Sequence, residues 1–201
     1  MMKNSQIRRE VLDLLRGRWL EPVAISFLLM WFASLCSGTV VLLWLVFEPA
    51  YYGFNVGLLR FVRSNGEEKL RVESLFSAFD KELYGKVVLT SIVKAIFIFL
   101  WSLLLVVPGV IKALSYSMTS YVIADNPEID YREALNRSEA IMKGHKMDYF
   151  LLQLGYFALA VLCVVFTLGI GLLWLNPYYG VVKAKFYEQA KADYQLRQLK
   201  A

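Results

Sequence analysis

Long apolar blocks alternate with charged segments along the chain. The blocks cover residues 22–59, 87–124 and 149–182 and contain one, two and no charged side chains. The hydrocarbon core of a bilayer is ~30 Å thick and takes ~20 residues of helix. Each block is therefore too long for one span and about right for two short ones. The pattern predicts an all-α membrane bundle of about six spans, arranged as three helical hairpins.

Glycine and proline mark the middle of each block, at Ser37-Gly38-Thr39, Pro108-Gly109 and Gly169-Ile170-Gly171. These residues suit tight turns and interrupt helices, so they argue against three long, tilted helices. A bundle of four or five spans with re-entrant pieces remains an alternative. It stays open because the arms at residues 22–36 and 110–124 are short.

Each hairpin is preceded by a segment with apolar residues at helical spacing and charged residues on the other face. The apolar positions are Ile7, Val11, Leu14 and Leu15, then Val72, Leu75, Phe76, Phe79 and Leu83, then Ala134, Leu135, Ser138, Ile141 and Met142. We expect amphipathic helices that lie in the cytoplasmic interface or pack beneath the bundle. Asp130 and Glu133 indicate where the third of them starts.

A glycine followed by a basic residue is predicted to end each amphipathic helix, at Gly17-Arg18, Gly85-Lys86 and Gly144-His145-Lys146. The chain is thus predicted to be one membrane domain. Its order is a cytoplasmic amphipathic helix (1–21), hairpin one (22–59), a cytoplasmic amphipathic segment (60–86), hairpin two (87–124), a cytoplasmic amphipathic helix (125–148), hairpin three (149–182) and a cytoplasmic tail (183–201).

Composition and charge support this topology. Hydrophobic residues make up 58% of the chain, against ~45 to 50% in soluble domains. Of the 22 Lys and Arg residues, all but Lys94 and Lys112 fall in the four segments outside the blocks. Positive charge concentrates on the cytoplasmic side, so both termini are expected there. Asp13 and Glu21 precede the first apolar run, and no A-x-A-like site ends it, so a span is favoured over a signal peptide.

The basic segments could suggest nucleic acid as a partner, but carboxylates such as Glu67, Glu68 and Asp80 are interleaved with the cations. No nucleic-acid-binding motif is present. Anionic lipid headgroups on the cytoplasmic side are the expected counterpart. A protein partner or a homo-oligomer is also possible, because small residues such as Gly53 and Gly57 can serve contacts within one chain or between chains.

Several motifs in the second half of the chain resemble a known family. They are Pro108-Gly109, Tyr116, Asp125-Asn126-Pro127, Ser138, Met142-Lys143-Gly144 and Pro177-Tyr178-Tyr179. Their order and spacing resemble the bacterial membrane protein family catalogued as domain of unknown function 975. The resemblance covers nearly the whole chain and is strongest from Leu103 to Tyr187. It implies a multi-pass helical protein of the bacterial inner (plasma) membrane, without an assigned activity, substrate or set of catalytic residues.

Four polar side chains within the blocks form a candidate intramembrane site: Glu48, Asn55, Lys94 and Asn176. A carboxylate at mid-span costs ~2.5 kcal/mol or more and usually faces a partner or a water-filled cavity. Glu48 could thus belong to a polar or ion pathway. Alternatively, it is protonated, or it pairs with Lys94 or Lys112 to hold two hairpins together, and this structural interpretation is favoured.

A second candidate site lies at the cytoplasmic interface and comprises Asp125, Asn126, Lys143, His145 and Lys146. The favoured interpretation of Asp125-Asn126-Pro127 is that Asp or Asn caps the following helix and Pro lies in its first turn. The alternative is a cation or headgroup site formed by Asp125 with Glu128 and Asp130. His145 is the only histidine, so a histidine-based metal cluster is excluded.

No set of residues for catalysis stands out. The serines lack an evident base partner, and the phosphate-binding loop and zinc-protease motifs are absent. We therefore expect no enzymatic activity, cofactor or metal, and the leading hypothesis is a membrane scaffold that binds lipid or protein. The runner-up is a small transporter or permease subunit with a polar site around Glu48; an intramembrane enzyme is the remaining alternative. A polar cavity running from Glu48 past Asn55 and Asn176 would favour transport, and a dry bundle would favour a scaffold.

Overall fold

The structure, a computed structural model, describes residues 4–35, 40–68, 72–79, 81–104, 106–167 and 169–199. These residues are almost entirely helical, as predicted. The helices are α1 (Asn4–Leu15), α2 (Leu20–Leu35), α3 (Val40–Arg63), α4 (Lys81–Leu104), α5 (Val106–Ser115), α6 (Thr119–Asp125), α7 (Tyr131–Met142), α8 (Lys146–Thr167) and α9 (Leu172–Leu199), with a 3-10 helix at Val72–Phe76.

The first and third hairpins have the predicted two-helix form. In the third, α8 ends at Thr167, Gly169 has a φ of +90°, and α9 begins at Leu172, so this turn is confirmed. The Thr167 hydroxyl accepts a 2.9 Å hydrogen bond from the Gly171 N–H and stabilises the turn. The predicted turn at Ser37-Gly38-Thr39 lies outside the described residues, between the end of α2 and the start of α3.

The second hairpin differs from the prediction. Pro108 lies in the first turn of α5 rather than between two helices, because a helix's first turn leaves its N–H groups unpaired and tolerates proline. The chain then breaks again at residues 116–118. There the hydroxyls of Ser117 and Thr119 donate to the backbone carbonyls of Leu114 and Tyr116, each at 2.8 Å, and so compete with continued helix.

The consequence is that the second arm consists of two short helices, α5 and α6. At ~1.5 Å per residue they are ~15 Å and ~10 Å long, and neither can cross a bilayer core. The six-span bundle is not confirmed.

Two helices are long and apolar enough to cross a membrane, judged by length and composition. They contain residues Leu83–Leu100 of α4 and Lys146–Thr167 of α8, of which only 17% and 6% are buried within the protein. The shorter stretch Leu20–Leu29 of α2 is also apolar. The exposed side chains of α8 include Phe157, Val165 and Phe166. Both long helices therefore present an apolar surface outward.

The first and third amphipathic helices are confirmed. In α1, Ile7, Val11 and Leu15 are fully buried. In α7 every predicted apolar position is buried: Ala134, Leu135, Ser138, Ile141 and Met142. The Asp130 carboxylate caps α7 by accepting a 3.2 Å hydrogen bond from the Arg132 N–H.

The prediction of an amphipathic α-helix in the middle segment is wrong. Val72–Phe76 form a 3-10 helix, and Phe76 and Phe79 are exposed. The 3-10 backbone lies directly on α3 at Gly53, where a Cβ atom would stand 2.7 Å from the Leu75 carbonyl oxygen. Gly53 therefore serves a contact within this chain, and Leu75 is buried at that contact.

The glycine stops are confirmed at Gly17 and Gly144, which have φ angles of +78° and +89°. Gly85 instead lies inside α4, which continues through the apolar run that follows it.

The charged residues of the described helices pair at one end of the bundle. Ion pairs join α3 to α6 and α9, α1 to α9, and α7 to α5: Arg63 with Asp125 and Glu188, Lys191 with Asp125, Lys185 with Glu10, and Lys112 with Glu139. The buried apolar core lies beside them and is contributed mainly by α1, α3, α6, α7 and α9. The central parts of α4 and α8 extend beyond this core.

Candidate functional site

Two adjoining cavities occupy the middle of the bundle. The lateral cavity, of about 500 Å³, lies among α3, α4, α5, α6, α8 and α9. The inner cavity, of about 380 Å³, lies among α2, α3, α8 and α9. The two share a wall formed by Tyr51, Asn55, Tyr149, Gln153 and Lys183. This wall is polar although the surrounding helices are apolar.

Among the described residues, Lys183 is the only cation that lines both cavities. It stands one helical turn after Tyr179 on α9, so both side chains lie on one face. Its ammonium donates a 3.3 Å hydrogen bond to the Tyr51 hydroxyl and lies 5.8 Å and 5.9 Å from the ring centroids of Tyr51 and Tyr179. Aromatic faces attract a cation at these distances, so the tyrosines partly offset the cost of placing this charge inside the bundle.

Asn55 holds α3 against α6. Its side chain is only 3% exposed; the amide donates a 2.7 Å hydrogen bond to the Tyr51 carbonyl and accepts a 3.0 Å bond from the Tyr121 hydroxyl. Tyr121 in turn stacks on Tyr187 of α9, with 5.2 Å between ring centroids. Asn55 thus positions three of the helices that surround the lateral cavity.

Asn176 lies in the wall of the inner cavity. Its side-chain oxygen accepts a 2.6 Å hydrogen bond from the Tyr156 hydroxyl, and the Tyr156 ring stacks on Tyr179 at 4.1 Å between centroids. Asn176 and Asn55 therefore both line the inner cavity.

Glu48 lies outside both cavities. It lines a separate gap of about 10 Å³ together with Lys94, and its carboxylate accepts a 3.0 Å hydrogen bond from the Ser91 hydroxyl. A space of that size holds about one water molecule. Lys94 also lines the lateral cavity. The suggested pairing of Glu48 with Lys112 is wrong, since Lys112 donates to both Glu139 carboxylate oxygens at 2.8 Å and 2.9 Å.

The lateral cavity opens on the apolar outer surface. Its outer wall is formed by side chains of α5 and α8 that are themselves exposed: Val110, Phe150, Leu154 and Phe157. Polar groups therefore lie at the inner end of this cavity and apolar groups at its mouth. A molecule with the same division of polarity would fit it.

Sequence reasoning missed Lys183. Lys183 was placed in the cytoplasmic tail because it follows the last apolar block. In the structure α9 runs unbroken from Leu172 to Leu199, so the block and the tail form one helix. The signal that could have found the site is the spacing of Tyr179, Lys183 and Tyr187, which recur every four residues on one face.

Asp125 forms a different kind of site, which we call the Asp125 cluster: Asp125, Arg63, Tyr187 and Lys191. One carboxylate oxygen of Asp125 pairs with Arg63, and the other accepts 2.5 Å hydrogen bonds from Tyr187 and Lys191. Burial raises the pKa of Asp125, but the bonds from Lys191, Tyr187 and Arg63 outweigh it and lower this pKa below its ordinary value. The charge is thus fully matched.

Both sequence-based interpretations of Asp125 are therefore wrong. Asp130, not Asp125, caps α7, and Asn126 instead ends α6, its N–H bonding to the Val122 carbonyl. The cation site with Glu128 is not formed either, because Glu128 pairs with Lys86 at 3.7 Å. Within the described parts of the chain, no group of three or more His, Cys, Asp or Glu residues could hold a metal ion.

The remaining interface residues lie at the junction of α7, α8 and α9. His145 is buried and its Nε2 lies 2.9 Å from an Asp193 carboxylate oxygen. This hydrogen bond lowers the pKa of the Asp193 carboxyl. The Lys143 side chain is exposed, while its carbonyl accepts a 2.9 Å hydrogen bond from Arg197. Lys146, at the start of α8, is partly exposed.

Comparison with known families gives one match. The family model described as "Protein of unknown function (DUF975)" matches residues 103–193. The resemblance read from the sequence motifs is thereby confirmed over that segment, which contains α5 to α8 and most of α9. The search of curated proteins and the search of solved structures find no match.

Proposed function

We propose that this protein is a non-enzymatic integral membrane protein that binds a lipid-like molecule in its lateral cavity. The match to the DUF975 family over residues 103–193 is to a protein family of unknown function and assigns no activity. The observation that carries the proposal is the position of the cavity mouth. It opens among exposed apolar side chains of α5 and α8, on the surface that a bilayer would cover.

The exposure of α4 and α8 supports a membrane location. The core helix of a soluble protein is mostly buried, whereas only 17% and 6% of these two apolar stretches are buried. A signal sequence lies near the N-terminus, and these helices begin at residues 81 and 146. Continuous apolar surface of this extent is not tolerated in water but is matched by lipid chains.

The orientation in the bilayer follows from the charges. Ion pairs and basic segments gather at the end of the bundle formed by the Asp125 cluster and by Lys86, Lys185 and His145. By the positive-inside rule this end faces the cytoplasm, with both termini, in a bacterial inner membrane. Anionic headgroups would contact the exposed cations there.

Photolabelling of the purified full-length protein tests the binding function. The protein is placed in phosphatidylcholine nanodiscs with a diazirine-bearing fatty acid or the corresponding fatty alcohol, and labelled peptides are mapped by mass spectrometry. We expect labelling at Leu154 and Phe157 to saturate and to be displaced by excess unlabelled compound. Labelling at Phe166, which is 79% exposed on the same helix, should rise linearly, because lipid around a helix is not a site. Non-saturable labelling at both positions with both probes would contradict a binding cavity.

Transport is a second candidate function. Asn55, Asn176, Lys94 and Lys183 surround polar space inside the bundle, and a polar cavity at Asn55 and Asn176 is part of what a transporter is expected to show. The space narrows to about 10 Å³ beside Glu48, so a through-path would require the helices to move. Proteoliposome uptake of the labelled fatty acid is compared with uptake by protein-free liposomes, because protonated fatty acids cross a bilayer unaided. Flux above the protein-free level supports transport, and saturable binding without added flux supports a binding protein.

A further inference from the structure

We propose that the lateral cavity selects an anionic amphiphile, whose carboxylate or phosphate group binds the Lys183 ammonium and whose apolar chain leaves between α5 and α8. This inference rests on the proposed binding function and names the chemistry of its ligand.

The charge of the cavity walls is unbalanced. Lys183 and Lys94 both line the lateral cavity, and its described lining residues include no Asp or Glu. Glu48 lines the separate narrow gap together with Lys94 and accepts a hydrogen bond from Ser91, so Lys183 is the cation of this cavity that has no carboxylate beside it among the described lining residues. Inside an apolar bundle, a charge without a counterion is costly. An anionic ligand supplies the missing charge.

The donors at the inner end suit an oxyanion. The Lys183 ammonium has three N–H donors, and one of them bonds to the Tyr51 hydroxyl at 3.3 Å. Because Tyr51 accepts that bond, its own hydroxyl proton is free to be donated to a ligand oxygen. The Gln153 amide lines both cavities and adds further N–H donors. Carboxylates and phosphates accept several such bonds, and those from charged donors are the stronger ones.

The mouth of the cavity selects for an apolar chain. From Lys183 outward the lining changes to Leu114, Phe150, Leu154 and Phe157. The volume of about 500 Å³ is that of a typical small-molecule pocket, enough for a headgroup and the first part of a chain, with the rest lying along α8. A free inorganic anion would gain nothing from these side chains, so the geometry favours an amphiphile over free phosphate.

The test compares ligands that differ only in the headgroup. Saturable labelling at Phe157 by the photoreactive fatty acid is competed with unlabelled dodecanoate, dodecyl phosphate, dodecanol, dodecyltrimethylammonium or inorganic phosphate. We expect both anionic amphiphiles to compete at concentrations at least tenfold lower than dodecanol. The cationic amphiphile should be the weakest of the four, and inorganic phosphate should compete poorly because it lacks the chain.

Lys183→Met should reduce the preference for dodecanoate over dodecanol at least tenfold, a change equivalent to ~1.4 kcal/mol. Lys183→Arg keeps the charge and should retain most of it. Lys112→Met is the matched control, since Lys112 bonds to Glu139 and does not line the cavity. It should leave the preference unchanged.

The outcomes separate the inference from the proposed function. If acid and alcohol compete equally in the wild-type protein, the anionic preference is overturned while the binding function stands; this comparison needs no variant and holds even if Lys183→Met does not fold. If no probe gives saturable labelling of the wild-type protein, both the anionic preference and the binding function are overturned. If inorganic phosphate competes as well as dodecyl phosphate, the site takes a free anion and the role of the apolar chain is overturned.

Discussion

The Asp125 cluster and the cavity around Lys183 lie on the same face of α9, but the charge is paired in the cluster and unpaired in the cavity. Asp125 has two cations and a tyrosine hydroxyl directed at one carboxylate, and its side chain is only 14% exposed. Lys183 has tyrosine rings and open space, without a carboxylate among the described lining residues. A charge that is paired within the protein holds helices together, whereas an unpaired charge beside a cavity can bind a ligand of opposite charge. The following predictions test this difference.

The largest effect is expected for Asp125→Ala. Removing the carboxylate leaves Lys191 without its ion-pair partner and leaves Arg63 with Glu188 alone, and breaking a buried ion pair in this way typically costs ~3 kcal/mol. We expect a loss of that order in the free energy of unfolding, measured by titration with a denaturing detergent. Glu128→Ala is the control, because its side chain is 85% exposed and exposed ion pairs contribute less than ~1 kcal/mol. Equal effects of the two substitutions would contradict the special role of Asp125.

Acid should weaken the same cluster. The pKa of Asp125 is lower in the folded protein than its ordinary value of 3.8, so its contribution to stability is present above that value and is lost as the pH falls through the lower, folded pKa. Thermal unfolding of the wild-type protein should therefore become easier below about pH 4. Asp125→Asn should show a weaker dependence in this range. Identical pH profiles would place the acid sensitivity elsewhere.

Tyr187→Phe should have a smaller effect. It removes the 2.5 Å hydrogen bond to Asp125 but keeps the ring that stacks on Tyr121. A single hydrogen bond to a charged group contributes ~1.5 to 3 kcal/mol, and the remaining two cations compensate in part, so we expect a loss of ~1 kcal/mol. Combining it with Asp125→Ala should give a non-additive result, because the two residues share one bond. Strict additivity would show that Tyr187 stabilises α9 independently of Asp125.

The smallest effect on stability is expected for Lys183→Met without added amphiphile. The substitution removes a charge that has no carboxylate partner and keeps most of the aliphatic chain, so the free energy of unfolding should change by less than ~1 kcal/mol. Added dodecanoate should then stabilise the wild-type protein more than the variant, since a ligand stabilises the state that binds it. A loss as large as that of Asp125→Ala would mean that Lys183 is structural and would remove the contrast between the two sites.

The sequence predicted those parts of the fold that depend on local patterns. In α7, five positions at helical spacing were all buried, and the Asp130 cap followed from its position before the apolar run. The turn at Gly169 was likewise local. The start of α5 was misplaced because Pro108 was interpreted as a turn, although proline is equally compatible with a first helical turn. The division into α5 and α6 was missed because it depends on the hydrogen bonds of Ser117 and Thr119 to nearby carbonyls.

The candidate sites depended on contacts that local patterns do not encode. Asp125 is 62 to 66 residues from Arg63, Tyr187 and Lys191 along the chain. The sequence showed only its neighbours, and these favoured a helix cap. Asn55, Lys94 and Asn176 were singled out as polar groups in apolar blocks; they line the cavities, and their role in a site stays a prediction. The residue that joins the two cavities, Lys183, was missed because its charge was taken as the end of the block.

The unbroken course of α9 fixes the phase between its two sites. Tyr179, Lys183, Tyr187 and Lys191 stand four residues apart, and each further residue of an α-helix advances ~100° around its axis. One residue inserted between Lys183 and Tyr187 would rotate the Asp125 partners by ~100° around the helix axis relative to Lys183. The length of this segment therefore sets the relative orientation of the two sites, and only a change of about one whole turn would keep both in register.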